Sequence, residues 1–173
     1  VEGGLAFKPI GEGPIGSFGK PAPGLEMRIL DEAGRECPAG VVGEICSRPA
    51  GGGEAQVEYD DNPEASARKT AGGWLHSGDL GMRDSDGYYK ITGRTKDMII
   101  RGGENIYPRE IEEFLYTMDE IENVQVIGIP DEKYGEVVAA FIILKKDKNL
   151  TEEDVKDFAR EKISRYKIPA HVF

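Results

Sequence analysis

The chain has 173 residues, 39% of them hydrophobic and 31% charged, enough apolar side chains for a packed core in one domain or two small ones. Its formal net charge of -10, with no stripe of Lys and Arg, argues against a nucleic-acid partner and against docking on an anionic membrane. No apolar run approaches the ~20 residues of a membrane-spanning helix, and the acidic residues, scattered through helical stretches, read as a solvated surface.

The first half is glycine-rich with short strand signals. Gly16-Ser-Phe-Gly-Lys-Pro21 invites a phosphate-loop reading, but Pro14 and Pro21 stand where a Walker-type loop needs glycine and Ser or Thr, so a turn leading into a strand is expected. Gly24–Leu30 alternates, with Leu25, Met27 and Ile29 on one face of a half-buried strand. A turn at Asp31–Gly34 separates it from a second strand beginning in Val41–Cys46. Residues 50–72 are poor in apolar side chains and carry Gly51-Gly-Gly53, which predicts a mostly exposed loop with one short helix. Strand signals return at Trp74–Met82 and at Tyr88–Thr92. The Asp84-Ser-Asp-Gly87 between them opens like a calcium loop, but Thr95 replaces the glutamate at the twelfth position. A tight hairpin turn is the better reading.

The second half changes period. Pro108 can start a helix, because its missing N–H would have had no partner there. Ile111, Phe114, Leu115 and Met118 follow as one apolar stripe. Val124–Ile129 and Glu136–Leu144 read as strands, the second apolar on both faces and therefore central. Thr151-Glu-Glu-Asp154 caps a last helix that buries Val155, Phe158, Ala159 and Ile163. The order hairpin, helix, strand, strand, helix describes a small α+β domain, with its boundary near Thr95–Lys96.

Few side chains suggest chemistry by themselves. Cys37 and Cys46, nine positions apart and without a second pair, give neither a zinc ligand set nor a disulfide framework. They are expected to be reduced, half-buried strand residues of a cytoplasmic protein. His76 and His171 lack a Cys or Ser partner in any hydrolytic arrangement, and His76 reads as a strand residue near a site, not a catalyst. Asp79 ends an apolar strand segment, where it is either a turn aspartate or a carboxylate able to accept two hydroxyl hydrogen bonds. Arg94 has the same two readings, surface charge or ligand contact. The glycines of Arg101-Gly-Gly-Glu-Asn105 allow close approach to a ligand, although a bulge or tight turn accounts for the spacing better.

One long stretch says more. Gly73-Trp-Leu-His-Ser-Gly-Asp79, then Gly93-Arg-Thr-Lys-Asp-Met-Ile-Ile-Arg-Gly-Gly-Glu-Asn-Ile-Tyr-Pro-Arg-Glu-Ile-Glu112, resembles the hinge region of adenylate-forming ligases. This family includes acyl-CoA synthetases, luciferases and peptide-synthetase adenylation domains. The resemblance implies an α+β fold: residues 1–95 as the β-rich, barrel-like end of the large adenylating domain, and residues 96–173 as an incomplete C-terminal lid. It implies an enzyme that turns a carboxylic acid and ATP into an acyl-adenylate and then passes the acyl group to the thiol of CoA. ATP, CoA and Mg2+ would be the cofactors, with Mg2+ held mainly outside these residues.

Position by position, Asp79 is similar to the aspartate that holds both ribose hydroxyls of the adenylate, and Arg94 to an arginine on the same ribose. Lys96 occupies the hinge position. Gly102, Gly103 and Glu104 resemble the loop lining the pantetheine tunnel, and Asn105 falls where relatives contact the phosphate. Ile100 departs from luciferase-type relatives, which carry lysine there. The wording of residues 101–108 and of Lys162-Ile-Ser-Arg-Tyr-Lys-Ile-Pro169 is most similar to fatty-acyl-CoA synthetases. Because the chain opens at Val1 and stops at Phe173, it is read as a piece of a longer enzyme, with the phosphate loop and the catalytic lysine elsewhere and Lys167 not in that role. The other readings are an adenylation domain that loads a carrier protein, and a stand-alone binding module. The expected partners are a small-molecule acid, ATP and CoA.

Overall fold

A computed structural model of the chain describes residues 6–8, 13–55, 67 and 69–173. It divides into two compact units, Val1–Thr95 and Lys96–Phe173. Residues 56–66 and 68, where most of the loop and short helix predicted for 50–72 fall, lie outside the described residues.

The first unit is built on β3 (Leu25–Leu30), β4 (Gly43–Pro49), β5 (Leu75–Arg83) and β6 (Tyr89–Arg94), in that order in an antiparallel sheet. A separate pair, β1 (Ala6–Phe7) and β2 (Lys20–Pro21), lies outside this sheet. The sheet is open, with no closed barrel among the described residues. The alternation expected for β3 holds, since Met27 and Ile29 are buried and pack with Ile45, Tyr89 and Cys37. Residues of opposite parity face the other way, and there Leu30, Cys46 and Trp74 form a second cluster. Trp74 precedes β5, and the Arg48 and Arg28 guanidiniums lie 4.3 and 5.0 Å from the centre of its ring. The buried Tyr89 hydroxyl donates to the Met27 carbonyl at 2.6 Å, so the ring enters the core without an orphaned polar group.

Several boundaries differ from the sequence reading. β4 starts at Gly43, two residues later than expected, and Val41 is exposed. Cys37 is not a strand residue: it follows an isolated bridge between Leu30 and Glu36, and both cysteines are buried, not half-buried. The backbone N–H of Cys37 donates to the Ile29 carbonyl, which draws the loop over the sheet edge. The turn at Asp84–Gly87 forms as expected. The Asp84 carboxylate accepts the N–H groups of Asp86 and Tyr88 at 2.9 and 2.8 Å, an acidic turn that needs no cation.

The second unit contains β7 (Ile99–Arg101), β8 (Glu104–Ile106), α1 (Pro108–Leu115), β9 (Ile121–Asp131), β10 (Gly135–Leu144), α2 (Glu152–Arg160) and β11 (His171–Val172). β10 is the hub, antiparallel to β9 and β7 and parallel to β11, in keeping with its apolar run. Its residues 137–140 are buried, whereas Phe141 and Ile143 are exposed. Pro108 occupies the first turn of α1, which buries Pro108, Ile111 and Leu115 against the sheet. The Glu112 carboxylate fixes α1 to β9 by accepting the Val126 N–H at 2.8 Å. The Phe114 and Phe158 rings, 5.0 Å apart, join α1 to α2. Met118 and Ile163 lie beyond the helix ends, so each helix carries a shorter stripe than its periodicity predicts. At the start of α2, Thr151 Oγ1 accepts the Asp154 N–H while the Asp154 carboxylate accepts the Thr151 N–H, a reciprocal capping box.

Replacing Thr151 with Ala removes one half of this box and should destabilise the second unit by about 1 kcal/mol, read as a lower urea midpoint at unchanged slope. A second expectation concerns Cys46. Burial, aided by the Glu44 carboxylate, pushes its thiol up to about 12. The folded state therefore holds this proton more tightly than the unfolded chain, whose thiol titrates near ~8.5. The contribution is fully present below that pH and disappears as pH climbs towards the folded value. The urea midpoint should fall between pH 9 and 11 more steeply in the unmodified chain than in Cys46→Ala; equal slopes would contradict it.

Candidate functional site

The side chains singled out by sequence fall into two groups, one in each unit. In the first unit, Asp79 on β5 and Arg94 on β6 are directly opposite in the antiparallel register. Cross-strand neighbours stand close enough for their side chains to meet, and Arg94 Nε lies 3.3 Å from Asp79 Oδ1. The pair is open to solvent, the Arg94 side chain being 61% and that of Asp79 36% exposed. A solvent-screened pair of this kind adds little to stability. What it provides is a carboxylate beside a cation, both accessible to an incoming ligand.

The backbone leading to Asp79 is held far more firmly than the carboxylate. Gly78 has φ +80°, a left-handed conformation that suits glycine, and its N–H donates to Glu44 Oε1 at 2.8 Å. Ser77 Oγ donates to the Ile45 carbonyl at 2.6 Å and accepts the Asp79 N–H at 3.0 Å. Lys69 Nζ donates to the carbonyls of His76 and Ser77 at 2.7 and 3.2 Å. The register with β4 shifts across this segment, where Glu44 pairs with Leu80 and Cys46 with His76, and the register with β6 shifts just beyond it, between Leu80 and Gly81, which turns it out of the regular ladder. The sequence reading gave no site role to Glu44, Ser77 or Lys69, although Ser77 lies inside the motif that ends at Asp79. Glu44 lies 34 positions from Gly78, and only the strand register brings the two together.

His76 is the remaining member of this cluster. Its Nδ1 is 2.7 Å from Glu44 Oε2 and 3.5 Å from Cys46 Sγ, while Nε2 faces the Ala71 carbonyl at 3.2 Å. A ring nitrogen facing a carbonyl oxygen must donate to it. His76 is thus a strand residue beside the Asp79 segment.

In the second unit, β7 and β8 form a hairpin in which Arg101 pairs with Glu104 and Ile100 with Asn105. Gly102 and Gly103 are its two loop residues, at φ +59° and +88°. A two-residue loop with both central residues at positive φ matches the right-handed twist of its strands, and glycine fills it without strain. The tight turn favoured by spacing is therefore what the Gly-Gly pair forms. Gly102, Gly103, Glu104 and Asn105 are all exposed at its tip. The base of the hairpin is fixed: Arg101 Nη1 donates to the Tyr166 carbonyl at 2.9 Å, its guanidinium lies 4.7 Å from the Tyr134 ring centre, and Gly102 N–H donates to the Tyr134 carbonyl at 2.8 Å. Lys96 is exposed in a single 3-10 turn, Thr95–Asp97. Lys167 is occupied, its ammonium 2.6 and 2.8 Å from the two carboxylate oxygens of Glu110.

Known proteins resemble this chain in sequence and in fold. Residues 110–173 match the AMP-binding enzyme C-terminal domain family. An oxalate–CoA ligase of Arabidopsis thaliana is 41% identical over 164 residues, covering 94% of this chain and 31% of that enzyme. A fatty acid–[acyl-carrier-protein] ligase, ScoC of Streptomyces coeruleorubidus, is 38% identical over 171 residues, covering 96% of this chain and 32% of the relative. Among solved structures, the o-succinylbenzoate CoA synthetase of Bacillus subtilis in complex with its acyl-adenylate intermediate superposes with a TM-score of 0.78 at 34% identity, over 91% of this chain and 31% of that one. The chain thus spans about a third of the length of the proteins it matches. With the motif, the fold and these relatives in agreement, residues 110–173 carry an AMP-binding enzyme C-terminal domain, and the chain is similar to the adenylate-forming ligases over about a third of their length.

Proposed function

We propose that this chain is part of an AMP-forming acid–thiol ligase that activates a carboxylic acid, a fatty acid by the wording of its motifs, and transfers the acyl group to CoA. The observation that carries the reading is the Asp79–Arg94 pair, solvent-open at the end of a backbone segment held by Glu44, Ser77 and Lys69. In the proposed reaction the acid carboxylate attacks the α-phosphorus of ATP, the bond to pyrophosphate breaks, and an acyl-adenylate forms. The CoA thiolate then attacks the acyl carbon and AMP leaves.

Asp79 would accept hydrogen bonds from both ribose hydroxyls, and Arg94 would supply the neighbouring cation. Holding the reactive phosphate in place through a remote sugar is the kind of positioning that lowers a reaction barrier. Lys96 would act as the hinge; it is the first residue of the second compact unit, which supports a rotation there. The β7–β8 tip, Gly102, Gly103 and Glu104, would line the pantetheine path after rotation, with Asn105 near the phosphate. Its exposure on a braced hairpin supports that role. Mg2+ prefers a shell of hard oxygen ligands and would enter with the ATP phosphates. Carrier-protein loading is the second reading, favoured by the kinship to a fatty acid–[acyl-carrier-protein] ligase.

In the full-length enzyme, AMP release should require ATP, CoA and an acid together and should peak at one chain length in a graded fatty-acid series. Adenylate formation without CoA-dependent turnover would favour the carrier-protein reading. Asp79→Ala removes two charge-assisted hydrogen bonds, so adenylate formation should fall by about 10²- to 10³-fold. A change below threefold would remove Asp79 from the proposed role. The 173-residue chain alone should release no pyrophosphate from ATP, because it has no Walker-type phosphate loop and Lys167 is held by Glu110.

A further inference from the structure

Glu44, Cys46 and His76 converge on one face of the first unit's sheet. Glu44 and Cys46 are two apart on β4, and Cys46 is the direct cross-strand partner of His76 on β5. Side chains two apart on a strand share a face, and a potential ligand atom of each of the three lies within 4.8 Å of the others. The separations suit a small tetrahedral ion. With zinc–sulfur at ~2.3 Å and zinc–nitrogen at ~2.0 Å, adjacent sulfur and nitrogen ligands stand about 3.5 Å apart, and Cys46 Sγ is 3.5 Å from His76 Nδ1. The gap between His76 Nδ1 and Glu44 Oε2, 2.7 Å across a hydrogen bond, would open by about half an ångström once an ion replaced the proton.

The surroundings have the form of a metal site. A metal-ligating histidine characteristically donates its other ring N–H to a carbonyl or carboxylate, and a ligating carboxylate is itself hydrogen-bonded. Here His76 Nε2 faces the Ala71 carbonyl at 3.2 Å, and the second oxygen of Glu44 accepts the Gly78 N–H at 2.8 Å. Cys46 is fully buried, while the side chains of His76 and Glu44 are 23% and 25% exposed.

The donor set selects the ion: a thiolate and an imidazole beside one carboxylate suit a soft divalent ion of the zinc class better than Mg2+ or Ca2+.

We propose that Glu44 Oε2, Cys46 Sγ and His76 Nδ1 form a binding site for one soft divalent metal ion of the zinc class, with its fourth position open to water. Because Glu44 also holds the Gly78 N–H, the ion would bear directly on the segment that presents Asp79. The site stands on its own geometry and does not depend on the proposed ligase reaction.

The probe is Co2+ alone, added to the 173-residue chain. Binding is expected at one equivalent, with a thiolate-to-cobalt charge-transfer band and tetrahedral visible absorption, both displaced by Zn2+. Cys37→Ser should keep the band, Cys46→Ser should abolish it, and His76→Gln should lower Co2+ affinity at least tenfold, with folding checked by circular dichroism. His76→Gln carries the test if the buried Cys46 variant fails to fold, since the histidine side chain is partly exposed. No band in the unmodified chain, a band that follows Cys37, or unchanged affinity in folded His76→Gln would each overturn the site.

Discussion

The Glu44 carboxylate is the constraint on which the first unit's candidate site depends. One of its oxygens fixes the Gly78 N–H and the other meets His76 Nδ1, so a single side chain on β4 determines the path of β5 just before Asp79. With both oxygens engaged the carboxylate has little rotational freedom, and a partly buried, doubly bonded carboxylate is hard to replace by a neutral group. Ser77 and Lys69 reinforce the same segment from other directions. Asp79, by contrast, is left with one long contact to Arg94 and open access to solvent. A rigid backbone presenting an unsaturated carboxylate is a reasonable way to meet a ligand with little loss of conformational freedom on binding.

The second unit follows the same logic with different parts. Its core gathers α1, α2, β9 and β10 around Ile111, Leu115, Val126, Val138 and Val155, and its exposed loop is a two-glycine hairpin. Arg101 reaches back from the base of that hairpin to the Tyr166 carbonyl and the Tyr134 ring. The tip can therefore offer backbone groups to a ligand while its base stays fixed. In both units the residues that brace the backbone, such as Ser77 and Arg101, differ from the exposed ones beside them, Arg94 and the Gly102–Asn105 tip, and the motif contains both kinds.

Comparing sequence with structure element by element shows where local signals suffice. β3, α1 and α2 were legible because burial imposes a period on each, β10 because burial on both faces gives an unbroken apolar run, and Pro108 and the Thr151–Asp154 box mark helix starts by their own hydrogen-bonding chemistry. Helix ends were less legible. Met118 and Ile163 continue the apolar spacing from the turns that follow, Met118 buried and Ile163 partly so, since a side chain can reach the core without its backbone remaining helical. Cys37 looked like a strand residue because it is small and apolar, yet its burial comes from a loop tied to the Ile29 carbonyl. Of the candidate site, Asp79, Arg94 and the Gly102–Asn105 loop were marked by the motif; Ser77 lies in that motif without a role that spacing could suggest, and Glu44 and Lys69 lie outside it.

The sequence by itself determined the family resemblance, the alternation of strand and helix, the turn chemistry at Asp84–Gly87 and the glycines that a tight hairpin needs, because each is written in neighbouring residues. Only the tertiary structure decided which strands pair and in what register. That choice put Arg94 opposite Asp79, His76 opposite Cys46, and Glu44 within reach of Gly78. The physical reason is that a strand's side chains alternate locally but meet their partners across a sheet, so contacts spanning 15 to 34 positions exist only once the register is fixed.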